Sequence, residues 1–142
     1  INYNINGEKM VKLTEEMKKS INEAVVFLGT ASKDGIPNIA PMKALKVIDD
    51  DTVVICDNFM LKTLANIKEN PTVSIATADC RENPFQYKGV AEYHTEGEWF
   101  EVAKEIDAQF NKVPNGAVVI KIKEVYNVKS GEDAGKLILK DE

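Results

Sequence analysis

The sequence predicts a mainly β domain: a six-stranded antiparallel sheet, closed or nearly closed into a barrel, with two or three accessory helices. Three observations carry that reading. Short apolar segments recur along 142 residues, each of strand length. Tight-turn chemistry at Lys33-Asp34-Gly35, Asp49-Asp50-Asp51 and Pro114-Asn115-Gly116 separates several of them. Most gaps are too short for the crossover helices that a doubly wound parallel sheet requires.

Taken in order, Thr14 can cap a first helix reaching about Glu23, with Glu15 and Glu16 in its first turn and Leu13, Met17 and Ile21 on one face. Ala24 to Ser32 follows as a strand, and its unbroken run Val25-Val26-Phe27-Leu28 predicts burial on both faces. The Asp-Gly turn leads to a return strand over Asn38 to Ile48, where Pro41 marks a bulge or an edge. Thr52 to Asp57 is the third strand. A helix near Met60 to Lys68 ends at Asn70-Pro71, and Thr72 to Ala78 is the fourth strand.

After a loop, Phe85 to His94 is the fifth strand. The longest helix opens at Thr95-Glu96-Gly97-Glu98, with Trp99, Ala103, Ile106 and Phe110 in one stripe. In the sixth strand, Ala117 to Val128, Val118, Ile120 and Ile122 alternate with Val119, Lys121 and Lys123, which predicts one buried and one partly solvated face. Residues 14–128 thus form the domain. Residues 1–13 are an extension, in part foreign or disordered, and residues 129–142 a polar tail whose apolar patch Leu137-Ile138-Leu139 docks on a partner chain or frays.

Composition narrows the function. With 44% hydrophobic and 29% charged residues the chain reads as a soluble globular protein. It has no run long enough to span a bilayer and no secretory leader, so a cytoplasmic location without membrane contact is expected. A net charge of −5 without a basic block argues against nucleic acid. A single histidine, His94, and two cysteines outside metal-ligand spacing, Cys56 and Cys80, leave no metal site in prospect. Cys56 reads as a buried inert thiol, Cys80 as the more reactive of the two in its polar loop.

The chemistry-bearing stretch is Asp57 to Ile67. An apolar strand runs straight into a short helix whose first turn holds Lys62-Thr63. That turn has backbone N–H groups without internal partners and the positive end of the helix dipole. An ammonium and a hydroxyl beside those donors favour a phosphate or another anion. The bland alternative is a solvated lysine and an ordinary helical threonine.

Four segments together resemble the FMN-binding split-barrel family related to pyridoxamine 5′-phosphate oxidase, particularly its small FMN-binding and flavin reductase-like members. They are Ala31 to Met42, Asp57 to Ile67, Asn70 to Ile75, and Phe85 to Tyr93 ahead of Gly97-Glu98-Trp99-Phe100. The resemblance implies a six-stranded split β-barrel that binds FMN without a covalent bond at a homodimer interface. It also implies a flavin-dependent oxidoreductase or a one-electron carrier. It assigns the flavin phosphate to Lys62 and Thr63, the ring to Ala40, Pro41, Met42 and Lys43, and the ring or ribityl chain to Asp57 and Asn58. Gln86 and Trp99 approach from either chain. Arg81, the one arginine, leaves a second phosphate site hard to build, so the vitamin-B6 enzyme itself is not expected. A deazaflavin (F420), haem on His94, or a barrel that has lost its cofactor remain as alternatives.

Overall fold

A computed structural model of the protein describes residues 2–3, 7, 9–77, 81–82 and 84–141. Within them, β1 (Asn2–Tyr3) and β2 (Lys9–Met10) form a small antiparallel ladder ahead of α1 (Glu15–Glu23). Thr14 caps α1 as expected: its hydroxyl accepts from the Met17 N–H at 3.2 Å. Met17 and Ile21 turn inward, and Val11 and Leu13 are buried alongside them.

The main sheet uses β3 (Val26–Ala31), β4 (Pro37–Met42), β5 (Leu45–Val47), β6 (Thr52–Asp57), β7 (Thr72–Thr77), β8 (Phe85–His94) and β9 (Gly116–Asn127). Two helices interrupt it, α2 (Lys62–Glu69) and α3 (Glu98–Ala108), and β10 (Leu137–Lys140) follows. All pairings are antiparallel, in the order β4-β3-β7-β8-β9-β6-β5, with β10 on the second half of β9. Every one of these strands from β3 to β9 except edge strand β4 sends buried side chains into one core, including Val26, Leu28, Val47, Ile55, Ile75, Tyr87 and Ile120. A sheet that surrounds one core in this way is curled into a half-barrel, the fold class the sequence predicts.

Four expectations are corrected. The predicted strand Asn38 to Ile48 is two strands, because the Lys43-Ala44 link carries the chain from one end of the sheet order to the other. There the Ala44 carbonyl accepts from the Cys56 N–H at 2.9 Å. Burial on both faces belongs to β6, not to β3. Residues 26, 28 and 30 are buried while 27, 29 and 31 are half-buried. In β6 every residue is buried, since Val53 and Ile55 face the barrel and Val54 and Cys56 face α3. The first half of β9 is likewise covered on both faces, and the alternation read from the sequence holds only beyond Ile120. The tail is a strand over Leu137–Lys140, paired within the same chain.

Candidate functional site

The β6-to-α2 connector is pinned from several directions. Asp57, at the end of β6, accepts from the Met60 N–H at 3.0 Å with one carboxylate oxygen and from the Tyr93 hydroxyl at 2.6 Å with the other. Its carbonyl accepts from the Asn115 N–H at 2.7 Å. Asn58 donates its side-chain amide to Asp107 at 3.1 Å, and its carbonyl accepts from the Asn115 side chain at 3.2 Å. Burial, then the Asp57 carboxylate, pushes the Tyr93 phenol up to about 12, so it stays a donor throughout the physiological range. A Cβ at Gly116 would overlap the Tyr93 ring, so glycine there lets Tyr93 reach Asp57.

Leu61 precedes α2 in a right-handed helical conformation, and no side chain caps the helix. Lys62 is exposed, and its ammonium makes no hydrogen bond or ion pair among the described residues. Thr63 is buried, and its hydroxyl accepts from the Asn38 side chain at 3.2 Å. A hydroxyl that accepts one bond still holds a proton to donate. Asn66 donates to the Thr30 hydroxyl at 3.0 Å and so holds α2 against β3. The helix start thus lies beside β4, with an unpaired cation and uncapped amides at its opening.

A cavity of about 520 Å³ runs from that helix start along β4. Its walls are β4 from Asn38 to Met42, the Lys43-Ala44 link, Ile55 and Cys56 of β6, the connector from Asn58 to Thr63, and Phe110 with Lys112. The volume falls within the ~300–1,000 Å³ usual for cofactor pockets. Ile39, Phe59 and Leu61 are largely exposed around it, each by more than two-thirds of its surface. The Lys112 ammonium lies 5.5 Å from the Phe59 ring centre. A second cavity of about 530 Å³ lies against β3, β4 and β7, and Asn38 and Ile39 line both.

Of the residues singled out in the sequence, Ala40, Pro41, Met42, Lys43, Asn58, Lys62 and Thr63 are together on the first cavity's wall. Lys43 is there, but its ammonium donates to the Glu23 carbonyl at 3.3 Å. Asp57 is not on that wall. The residue is 2% exposed and its carboxylate serves the connector, since a buried acceptor takes the donors nearest it. Gln86 lies on β8 opposite Ala76 and Tyr126 and lines neither cavity within one chain. Trp99 packs on the cluster beneath α3, with the Lys121 ammonium 5.7 Å from its ring centre.

Cys56 is on the wall but inert: burial, then the neighbouring Asp107, raises its thiol to about 12, and the thiol donates to the Ala103 carbonyl at 3.2 Å. His94 meets Glu92 at 3.0 Å on the surface, away from both cavities. The reading of Cys80 lies outside the described residues.

Phe59, Leu61, Phe110 and Lys112 are wall residues that the sequence reading did not assign. Phe59 and Leu61 had a signal, two large apolar groups just ahead of the Lys-Thr pair at a helix start. Phe110 was expected in the α3 stripe, but α3 ends at Ala108. Asn111 then takes a left-handed φ of 54°, which turns the chain toward the cavity.

Residues 13–129 match the model of the family described as pyridoxamine 5′-phosphate oxidase. An uncharacterized protein of Methanocaldococcus jannaschii is 58% identical over 140 residues, covering 96% of this chain and 94% of its own length. The crystal structure of Group A Streptococcus HupZ superposes with a TM-score of 0.75 at 34% identity, over 87% of this chain and 99% of that one. An FMN-binding protein from Syntrophomonas wolfei shares the fold with a TM-score of 0.72 at 23% identity, over 83% of this chain and 87% of that one. The match across nearly the whole half-barrel, strands and connector alike, places this chain in the pyridoxamine 5′-phosphate oxidase family of split barrels.

Proposed function

We propose that the protein binds FMN non-covalently in the β4–α2 cavity, at the interface of a homodimer, and serves as a flavin-dependent oxidoreductase. The observation that carries this is the unpaired Lys62 ammonium at an uncapped helix start, opening onto a cavity walled largely by apolar groups and by one edge strand. Those residues fit a ligand with a phosphate at one end and a flat heteroaromatic ring at the other. Lys62, the Thr63 hydroxyl and the first-turn amides would hold the phosphate. Ala40 to Met42 and Ile55 would flank the ring.

When bound, the flavin supplies the redox chemistry itself, accepting and returning one or two electrons. The chain's part is to orient the ring, anchor the phosphate and exclude water. Among the described residues no carboxylate or imidazole stands on the cavity wall, and Cys56 keeps its proton, which suits a protein that leaves proton transfer to its cofactor and solvent. The exposed Ile39, Phe59 and Leu61 supply an apolar patch at the mouth, of the kind a second copy would cover.

Titrating FMN into purified protein tests the reading. Flavin fluorescence should quench with an affinity in the micromolar range or tighter, equivalent to about 8 kcal/mol or more. Absorption displaced well to the blue of FMN in the protein as purified would assign a deazaflavin instead, and a colourless protein indifferent to FMN would reject the proposal. A sedimentation mass of one chain at micromolar concentration would reject the dimer.

A further inference from the structure

We propose that Asp107 is a positioning residue for the cavity: its buried side chain holds the Asn58 amide so that the Asn58 Oδ1 meets a hydroxyl on the ligand. The inference rests on the FMN reading and concerns a residue that stands behind the wall, not on it.

Asp107 is an acid in an unfavourable place. It is fully buried in the last turn of α3. The end of a helix carries the negative pole of its dipole, which an acid opposes. Asp107 makes no ion pair among the described residues, and its Oδ2 has no hydrogen-bond partner among them. The neighbouring Cys56 thiol gives no relief, since it donates to the Ala103 carbonyl at 3.2 Å. A buried acid without a cation and with an unpaired oxygen is destabilising, and an apolar group of like size would ordinarily be no loss. Local rules broken in this way mark positions with a task.

The Asp107 side chain has one hydrogen-bond partner, and that partner is on the cavity wall. The Asn58 Nδ2 donates to the Asp107 Oδ1 at 3.1 Å. A carboxylate only accepts, so the Asn58 amide turns its nitrogen to Asp107 and its oxygen elsewhere. That Oδ1 has no partner among the described residues and is not sealed in the interior. The Asn58 carbonyl is fixed as well, accepting from the Asn115 side chain at 3.2 Å. Held at both points, the amide is a preset acceptor. The Asp107 carbonyl in turn accepts from the Phe110 N–H at 2.9 Å and the Lys112 N–H at 3.1 Å, the two other wall residues near it.

Asn58 stands in the chain between Ile55, which would flank the ring, and Lys62-Thr63, which would hold the phosphate. The part of FMN between its ring and its phosphate is a chain of hydroxyls, and each can donate. An acceptor aimed from behind by a charge-assisted bond suits one of them.

The test is a double-mutant cycle. FMN is titrated against parent, Asp107→Ala, Asn58→Ala and the double variant, with Asp107→Asn alongside and thermal midpoints recorded for all. Asp107→Ala and Asn58→Ala should each weaken FMN roughly three- to tenfold, the loss of one hydrogen bond. The double variant should bind no more weakly than either single one, because the first residue acts through the second. Asp107→Asn keeps an oxygen for the Asn58 amide and should recover most of the loss. A purely structural role predicts losses of affinity that follow the midpoint and multiply in the double variant.

Multiplying losses, or an Asn58→Ala variant that binds FMN like the parent, overturn this inference, while FMN binding that depends on Lys62 leaves the broader reading standing. A parent protein that binds no FMN overturns both. If Asp107→Ala does not fold, Asp107→Val, which fills the site without an acceptor, takes its place in the cycle.

Discussion

β4 and β6 are both six residues long and both wall the same cavity, yet the protein treats them in opposite ways. β6 is buried at every position, between the barrel core on one face and α3 on the other. In β4 no residue is buried, and the strand has one neighbour. The difference separates two tasks. The closed strand fixes the connector that carries Lys62, while the open one leaves backbone groups free for a ligand.

The comparison can be broken first in the core. Ile120, fully buried on β9 beside β6, should cost about 2–5 kcal/mol when changed to alanine, read from the urea midpoint. A loss below about 1 kcal/mol would show that the closed half is no more demanding than the edge. Next is Gly116→Ala, which drives a methyl into the Tyr93 ring and so strains the Tyr93–Asp57 bond. It should cost about 1–3 kcal/mol and weaken FMN binding as well, because the connector it loosens leads to Lys62. Unchanged binding in a destabilised variant would uncouple the two.

Lys62→Ala sharpens the contrast from the other side. It should weaken FMN by about 1.5–3 kcal/mol, or ten- to a hundredfold, and leave folding stability within about 0.5 kcal/mol. A more alkaline solution should also weaken the closed half. Cys56, ordinarily near 9.0, is held at about 12 in the fold. The folded state therefore retains a proton that the unfolded chain gives up. The stability this confers is intact below pH 9 and is lost as pH climbs toward 12. Denaturant midpoints from pH 8 to 11 should fall, and fall less in Cys56→Ala. The smallest effect belongs to Ile39→Ala, where a side chain 69% exposed should change the midpoint by no more than about 0.5 kcal/mol.

Much of this architecture was legible because local signals agreed with one another. Thr14, the Asp34-Gly35 turn and Asn70-Pro71 each mark a boundary by short-range chemistry, and the structure keeps all three. The division of β4 from β5 was hidden, since Ile39, Ala40, Met42, Ala44 and Leu45 read as one apolar strand. What splits them is closure of the sheet, a long-range event with no mark at Lys43-Ala44. The strand at Leu137–Lys140 escaped notice for the same reason, its pairing partner being β9.

In the site, the Lys62-Thr63 pair was visible because a strand-to-helix junction is itself a local motif. Phe110 and Lys112 approach from about fifty residues away, and no spacing rule reaches that far. Asp57, which the resemblance puts near the ring or ribityl chain, spends its carboxylate on Tyr93 and the Met60 amide, partners that no local motif announces.

The two ends of the sheet order, β4 and β5, are consecutive in the chain and joined by only Lys43 and Ala44. A strand tethered so closely cannot drift far when it peels from β3, and it can zip back quickly. With one neighbour and a two-residue link, β4 should open more readily than strands paired on both sides. Amide exchange at Ala40 and Met42 would accordingly outpace that at Val54 and Val119, and a bound ligand would slow the first pair far more than the second.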